Sequence, residues 1–330
     1  MSTPIVSILL PIYNSEKYVS KAIKSILAQS FQDFELLLIN DGSTDKSIEI
    51  MRSFNDSRIR IIDNGKNRGI VYSLNSGINN SKGIYLARMD ADDISLKDRI
   101  LIQVNYLNKN PEIDILGSNY ELFGAENHTT NLNITPDKIK TSIFFDNQLC
   151  HPSIIMRKSS IIKNQLIYNK NFFINQDWVL WFDALNKNLK IANLPNVLIK
   201  YRLEGQNITT NNKDSEKRRS INVYKHMLVH LFENLSNKDL ELHWALSKGD
   251  VTNIEIKELK KYSEKLKLAL IKKGFKEIII DEIIQTKQKN IFYKITDKST
   301  LKGITFLISN HLFSLTTIKY LLSRLIKGTI

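Results

Sequence analysis

Ile84-Tyr85-Leu86-Ala87-Arg88-Met89 runs straight into Asp90-Ala91-Asp92-Asp93. A short, mostly apolar run of this kind reads as a buried strand, and the acidic residues mark where it stops. Carboxylates are expensive inside a sheet and cheap at its polar rim, so this strand end should face solvent or a ligand. The same arrangement occurs twice more toward the N-terminus. Residues 6–10 form an apolar run ended by Pro11 and followed by Ile12-Tyr13-Asn14, and residues 34–39 stop at Asn40-Asp41-Gly42. Between these runs Val19, Ala22, Ile23, Ile26 and Leu27 repeat at helical spacing, with Asn14 or Ser15 as N-cap. A short helix near 45–53, a strand at 59–62 and a helix over about 69–79 complete the series. This βαβαβαβ rhythm predicts an α/β fold with a mainly parallel sheet flanked by helices. In such sheets ligands sit beyond the carboxyl ends of the strands, so the three polar clusters should converge on one rim.

Beyond this front the pattern changes. Residues 113–210 read as short strands, a loop around 126–135 and one helix from about 177 to 186. The rest reads as helices with many lysines. Of the net charge of +13, residues 211–330 carry +10 (23 basic, 13 acidic) and residues 1–210 carry +3 (24 basic, 21 acidic). A basic balance suggests anionic partners such as phosphates, nucleic acid or a membrane surface. With 42% apolar and 25% charged residues, the composition excludes disordered, collagenous and low-complexity chains. The single cysteine, Cys150, cannot form an internal disulfide, and no CxxC pair exists, so a reducing compartment is expected. No secretory signal and no spanning apolar run are read, which leaves the sequons at Asn127, Asn133 and Asn207 with little weight.

The acidic cluster is the sharpest signal. Carboxylates one residue apart on a turn can present oxygens to a hard divalent cation that also holds substrate phosphates. The competing reading is a solvated turn with Asp93 or Ser95 capping the next helix. Asp41-Gly42-Ser43-Thr44-Asp45 resembles a helix-capping turn, yet Asp41 at a strand end can also accept a hydrogen bond from a base or ribose. Tyr13 can serve as a stacking platform or as ordinary amphipathic surface, and Arg68 as a nucleotide contact or a solvated loop residue. Rival motifs are absent: no GxGxxG, no phosphate loop, no HExxH pair and no GxSxG elbow. His226 and His230 sit four apart without a carboxylate motif and read as surface residues.

In this order and spacing, residues 6–14, Asp41-Gly42-Ser43-Thr44-Asp45 and Met89-Asp90-Ala91-Asp92-Asp93 resemble the family 2 glycosyltransferases of the GT-A fold. Cys150-His151-Pro152-Ser153 is similar to the family's His-Pro-Ser strand, and Asn175-Gln176-Asp177-Trp178 to the helix start that carries its base. Tyr201-Arg202-Leu203-Glu204 is similar to a Tyr-Arg-x-His strand. The resemblance implies a mixed sheet in a GT-A domain over residues 1–210, with a nucleotide half to about 112 and an acceptor half over 113–210. A basic helical region, 211–330, would follow. It implies that Pro11 and Tyr13 line the base pocket, that Asp41 bonds a uracil-type base and that Asp90 contacts ribose or metal. Asp92 would hold Mn²⁺ or Mg²⁺ against the two phosphates, and Asp177 would be the general base. Two positions depart from the pattern: Gln176 replaces a usual Glu, and Glu204 stands where a histidine often helps bind metal or diphosphate. Glu204 is thus either a replacement ligand or no ligand at all.

Elementary chemistry agrees with those roles. Breaking a sugar–phosphate bond builds negative charge on the leaving diphosphate, which a cation stabilises. The attacking hydroxyl must lose a proton, so a carboxylate within hydrogen-bond reach is needed. A single base without a second nucleophile implies inversion. Residues 301–330 hold Lys302, Lys319, Arg324 and Lys327 and no acid, while Leu315, Ile318, Leu322 and Leu325 share one helix face. Such a helix either lies on an anionic membrane or packs on its own domain. The expectation is a cytoplasmic, peripheral inner-face enzyme that joins a UDP-sugar donor to a glycan acceptor, lipid-linked in surface polysaccharide assembly, with no nucleic acid partner. Its rivals are a haloacid-dehalogenase-type Mg²⁺ phosphohydrolase, a basic nucleic-acid-binding module and an inactive transferase.

Overall fold

β1 (Val6–Ile12) and β2 (Phe34–Asn40) are buried at every position, as apolar strands in a sheet covered on both faces must be. In the computed structural model, which describes residues 3–132, 134–203, 213–252, 254–310, 312 and 314–326, the chain divides into two units. The first comprises Met1–Ile143 and Asn147–Asn211, the second Phe144–Asp146 and Asn212–Ile330.

The first unit is built on a mixed sheet. After β1 and β2 come β3 (Ile59–Asp63), β4 (Tyr85–Arg88), β5 (Ile94–Ser95), β6 (Ile115–Gly124), β7 (His128–Thr129), β8 (Ile155–Arg157) and β9 (Ile191–Leu203). Their order is β3-β2-β1-β4-β8-β6-β9-β5, with β7 paired to β6. β3, β2, β1 and β4 run parallel, which is the βαβ front that the sequence rhythm predicts. β8 is antiparallel to both β4 and β6, and β6 is again parallel to β9.

Strand side chains alternate, so burying both faces requires a helix layer on each. Val6, Ile8, Leu10 and Ile12 share one core with Val19, Ile23 and Ile26 of α1 (Val19–Leu27) and, from the helix Arg99–Lys109, with Ile100, Val104 and Leu107. Leu9 and Ile39 face the other side. There Gly77, in the helix Ile70–Asn80, comes so near that a Cβ would lie 2.6 Å from Ile39 Cδ1. Each fully buried Leu or Ile contributes about 2 kcal/mol, so the two layers reinforce a single register. With α2 (Ser47–Arg52) between them in sequence, these helices are α1, α2, α3 (Ile70–Asn80) and α4 (Arg99–Lys109), followed by α5 (Pro136–Ser142), α6 (Lys158–Lys163) and α7 (Gln176–Asn186).

Two local expectations are corrected. β1 does not end at Pro11 but continues to Ile12. Residues 5 and 9 address β4 (Tyr85 N donates to Ile5 O, Met89 N to Leu9 O), so Pro11 would direct its missing N–H beyond the last bond of that ladder. Neither Asn14 nor Ser15 caps α1: the N-cap is Tyr18, and the Ser15 carbonyl accepts from the Tyr18 and Val19 amides.

Among its described residues the second unit is helical: α8 (Lys213–Leu228), α9 (Asn237–Lys248), α10 (Ile256–Lys272), α11 (Glu277–Lys298), α12 (Thr300–Ser309) and α13 (Leu315–Ile326). A Ser236–Asp239 capping box opens α9, and Gly249 in the left-handed region closes it. His243 at its centre is fully buried and accounts for both ring nitrogens: Nε2 donates to the Phe144 carbonyl (2.7 Å) and Nδ1 accepts from Tyr262 (2.8 Å). Burial lowers its pKa to about 4, so the ring is neutral. The Phe145 carbonyl accepts from Tyr224, and Asp146 pairs with Lys248 and Lys287. Among the described residues no helix is long and apolar enough to cross a membrane. Leu315, Ile318, Leu322 and Leu325 of α13 all remain exposed, Leu315 by 77%.

Gly42 illustrates how tightly the rim is built. Its φ is +70°, and a Cβ there would lie 2.4 Å from the Lys66 carbonyl carbon. Gly42→Ala should therefore lower stability by about 2 kcal/mol or more, read as a fall in the urea midpoint at unchanged slope. A midpoint equal to the native one would contradict this packing.

Candidate active site

The carboxyl ends of β2, β1 and β4 lie side by side, because Ile12 pairs with Asn40 and Leu9 with Arg88 in parallel register. The loops leaving β1 and β2 are clipped together. Asn14, itself at φ 45°, accepts from the Thr44 amide (2.8 Å) and donates its own amide to Ser43 Oγ (3.1 Å). The Glu16 amide donates to Asp45 (2.9 Å), and the Lys46 amide donates back to Glu16 (3.0 Å). The Asp41-to-Asp45 string is thus a structural turn as well as a candidate binding loop.

Asp41 is buried beneath this rim. Its Oδ1 accepts from Asn64 Nδ2 (2.9 Å) and the Arg68 amide (3.1 Å), and its Oδ2 accepts from the Gly69 amide (2.8 Å). Each carboxylate oxygen can accept about two bonds, so Oδ2 retains one acceptor position. The carboxylate also orders the loop that starts α3. Arg68 itself is exposed, with its guanidinium 4.5 Å from the Tyr72 ring centroid. Pro11 is buried, and Tyr13 is 47% exposed just beyond it.

The acidic turn follows β4. Asp90, Asp92 and Asp93 bring carboxylate oxygens within 4.8 Å of one another. The solvated-cap reading does not hold: the next element is β5, and α4 starts only at Arg99 with Asp98 as N-cap. Asp93 is 1% exposed and accepts from the Arg202 amide through Oδ1 (2.7 Å). Its Oδ2 is buried without a partner. Burial, then the Asp90 charge, pushes Asp92 up to about 6; burial and both neighbours drive Asp93 well above the usual carboxylate range. A crowded carboxylate group with an orphaned buried oxygen is a donor set suited to a hard divalent cation, so the residues fit Mn²⁺ or Mg²⁺.

Arg88, the last residue of β4, is the buried counter-charge. Burial opposes its charge, the Asp90 carboxylate more than restores it, and the two form an ion pair. Arg99 lies directly beneath, fully buried, and its guanidinium donates to the Arg88 carbonyl (2.7 Å) and the Ile154 carbonyl (3.2 Å). From β9, Arg202 Nε donates to the Asp92 carbonyl (2.9 Å) and the guanidinium lies over Tyr18 and Phe123. The Tyr201-Arg202 strand is thereby pinned to the acidic turn. Glu204, two residues on, lies outside the described residues.

Asp177 sits in the first turn of α7, after Asn175 at φ 67°. Burial raises its proton affinity; bonds from the Trp178 backbone and Asn147, and the charge of Arg88, partly offset this. Arg88 therefore bears on Asp92, Asp93 and Asp177 alike. The segment before α7 also meets the Asp41 loop, since a Cβ on Gly69 would lie 3.0 Å from the Phe173 ring. His151 is buried and bonds Tyr168 (2.8 Å), whose carbonyl accepts from Asn75 of α3 (2.9 Å). Reading the sequence did not single out Arg88, Asn147 or Tyr168. For Arg88 a signal existed, a charge inside an apolar strand; for the other two, which meet their partners only through folding, none did.

A sequence profile described as Glycosyl transferase family 2 matches residues 7–187. An uncharacterized glycosyltransferase of Haemophilus influenzae is 32% identical over 316 residues, covering 83% of this chain and 98% of that one. The Escherichia coli UDP-Glc:alpha-D-GlcNAc-diphosphoundecaprenol beta-1,3-glucosyltransferase WfgD is 28% identical, covering 66% of this chain and 85% of its own. The structure of S. aureus TarS 1–349 in complex with UDP-GlcNAc matches with a TM-score of 0.60 at 15% identity, over 93% of this chain and 89% of that one. The likeness to TarS shows the fold, the mixed GT-A sheet with a helical C-terminal region. With its acidic turn beyond β4 and its profile match over more than half its length, this chain is a glycosyltransferase and belongs to glycosyl transferase family 2.

Proposed function

We propose that this glycosyltransferase moves a sugar from a UDP-type donor to a hydroxyl of a glycan acceptor, with inversion at the anomeric carbon. The observation that carries the reading is the acidic turn, three carboxylates within 4.8 Å at the rim where β4 ends. Asp92 would hold Mn²⁺ or Mg²⁺ with Asp90 beside it, and the ion would neutralise charge on the departing diphosphate. Glu204 is the second candidate ligand. Pro11 and Tyr13 line the base pocket, the remaining lone pair of Asp41 accepts from the base, and Arg68 offers its guanidinium to the nucleotide. As the acceptor oxygen attacks the anomeric carbon, its proton passes to Asp177. The bond from that carbon to the phosphate oxygen breaks, and UDP leaves with the electron pair. One base and no second nucleophile give a single displacement. The phosphohydrolase and nucleic-acid readings give way to family membership.

The donor and acceptor classes draw support from relatives. WfgD is named for UDP-Glc and a diphosphoundecaprenol-linked sugar, and TarS was solved with UDP-GlcNAc. We infer a lipid-linked acceptor, surface polysaccharide assembly and a peripheral place on the cytoplasmic membrane face. The exposed apolar stripe of α13, with Lys319 on the same helix, supports an anionic lipid surface as partner.

Asp177→Asn should lower transfer by about 10²–10⁴-fold while calorimetry finds UDP affinity with Mn²⁺ unchanged. Loss of nucleotide binding in that variant would remove the base assignment. Asp92→Ala should abolish the difference between UDP titrations with Mn²⁺ and with EDTA. A folded-state pKa above the unfolded value means stability is lost as pH rises through about 6, and a bound cation reverses that loss. Mn²⁺ should therefore raise the melting temperature by about 5 °C at pH 7.5 and far less at pH 5. Equal shifts at both pH values, or none, would contradict the cation site.

A further inference from the structure

Asn147 lies on neither the nucleotide rim nor the acidic turn, yet its side chain is committed to Asp177. Nδ2 of Asn147 donates to Asp177 Oδ2 at 2.7 Å. The amide cannot be turned the other way without loss, because its Oδ1 accepts from the Leu149 backbone N–H at 3.2 Å.

We propose that Asn147 is a positioning residue for the base: its amide clamps Oδ2 of Asp177 and so sets how the carboxylate is presented to the acceptor hydroxyl. The inference rests on the reading of Asp177 as general base. Two consequences follow from the geometry. A carboxylate at the first turn of a helix can rotate about χ2, and the Asn147 donor at 2.7 Å, together with the backbone donors of Asp177 and Trp178, narrows that freedom. A donor aimed at the ionised carboxylate also stabilises that form and opposes the effect of burial on Asp177. The other groups acting on Asp177 are the backbone N–H groups of Trp178 and of Asp177 itself and the Arg88 charge, while Tyr168 responds to the Asp177 charge in turn. Arg88 is already shared with Asp90, Asp92 and Asp93, which leaves Asn147 as the side chain bonded to Asp177 among the described residues.

The test needs no knowledge of the acceptor. Native protein, Asn147→Ala and Asn147→Asp, each labelled with [¹³Cγ]aspartate, are titrated by NMR, with Asp177→Asn assigning the resonance. The expected result is an Asp177 carboxyl that titrates about one unit higher in Asn147→Ala, and higher again in Asn147→Asp, where a second carboxylate faces it. UDP affinity with Mn²⁺ should stay within about twofold of native, which shows that the nucleotide side still folds. An Asp177 titration unchanged by both substitutions would overturn the positioning role. In parallel, UDP release from UDP-glucose and UDP-GlcNAc with water as acceptor is measured for native protein and Asp177→Asn. Equal release in the two would take down the base reading, and the positioning role with it. Loss in Asp177→Asn together with a normal titration in Asn147→Ala would leave the base in place and remove only the clamp.

Discussion

A buried guanidinium is the constraint around which the site is arranged. Arg88 closes β4 with almost no solvent contact, and a charge in that position persists only if carboxylates surround it. Asp90 supplies the ion pair, and Asp92, Asp93 and Asp177 all feel the same positive charge. Arg88, Arg99 and Arg202 all act on the turn of three acids, and burial still leaves Asp92 and Asp93 with raised proton affinity. The orphaned buried Oδ2 of Asp93 and the crowding of Asp90, Asp92 and Asp93 within 4.8 Å give the turn a donor set that suits a hard divalent cation.

The scaffold holds this charge by ordinary means. Arg99 braces the Arg88 carbonyl from below, and Arg202 ties the end of β9 to the turn from the side. Around the neighbouring strand ends, the side chains of Asn14, Asp45 and Asp41 accept from backbone amides of adjoining loops. Rigid rims of this kind place a ligand group where the strands end without requiring the loops to order on binding. These polar residues therefore have a structural job, tying the loops beyond β1 and β2 together.

Much of this was legible one residue at a time. The apolar runs of β1, β2 and β4, each cut off by polar residues, are local signals, and a period of two or of 3.6 needs no tertiary knowledge. The acidic turn was legible for the same reason, since carboxylates directly after a buried strand must lie at its edge. Reading went astray where a neighbour decides the outcome. Pro11 ends a strand on propensity, yet it is tolerated because β4 has already stopped beside it. Ser95 looks like a cap, yet it pairs with Ile199 of β9 as a strand.

The order of elements, the polar character of the strand ends and the basic balance of the C-terminal region follow from residue type and spacing alone. Folding alone made Arg88 a buried counter-charge and brought Asn147, thirty residues from Asp177, to bond its carboxylate. Those outcomes depend on which distant groups share a low-dielectric space, and chain spacing carries no information about that.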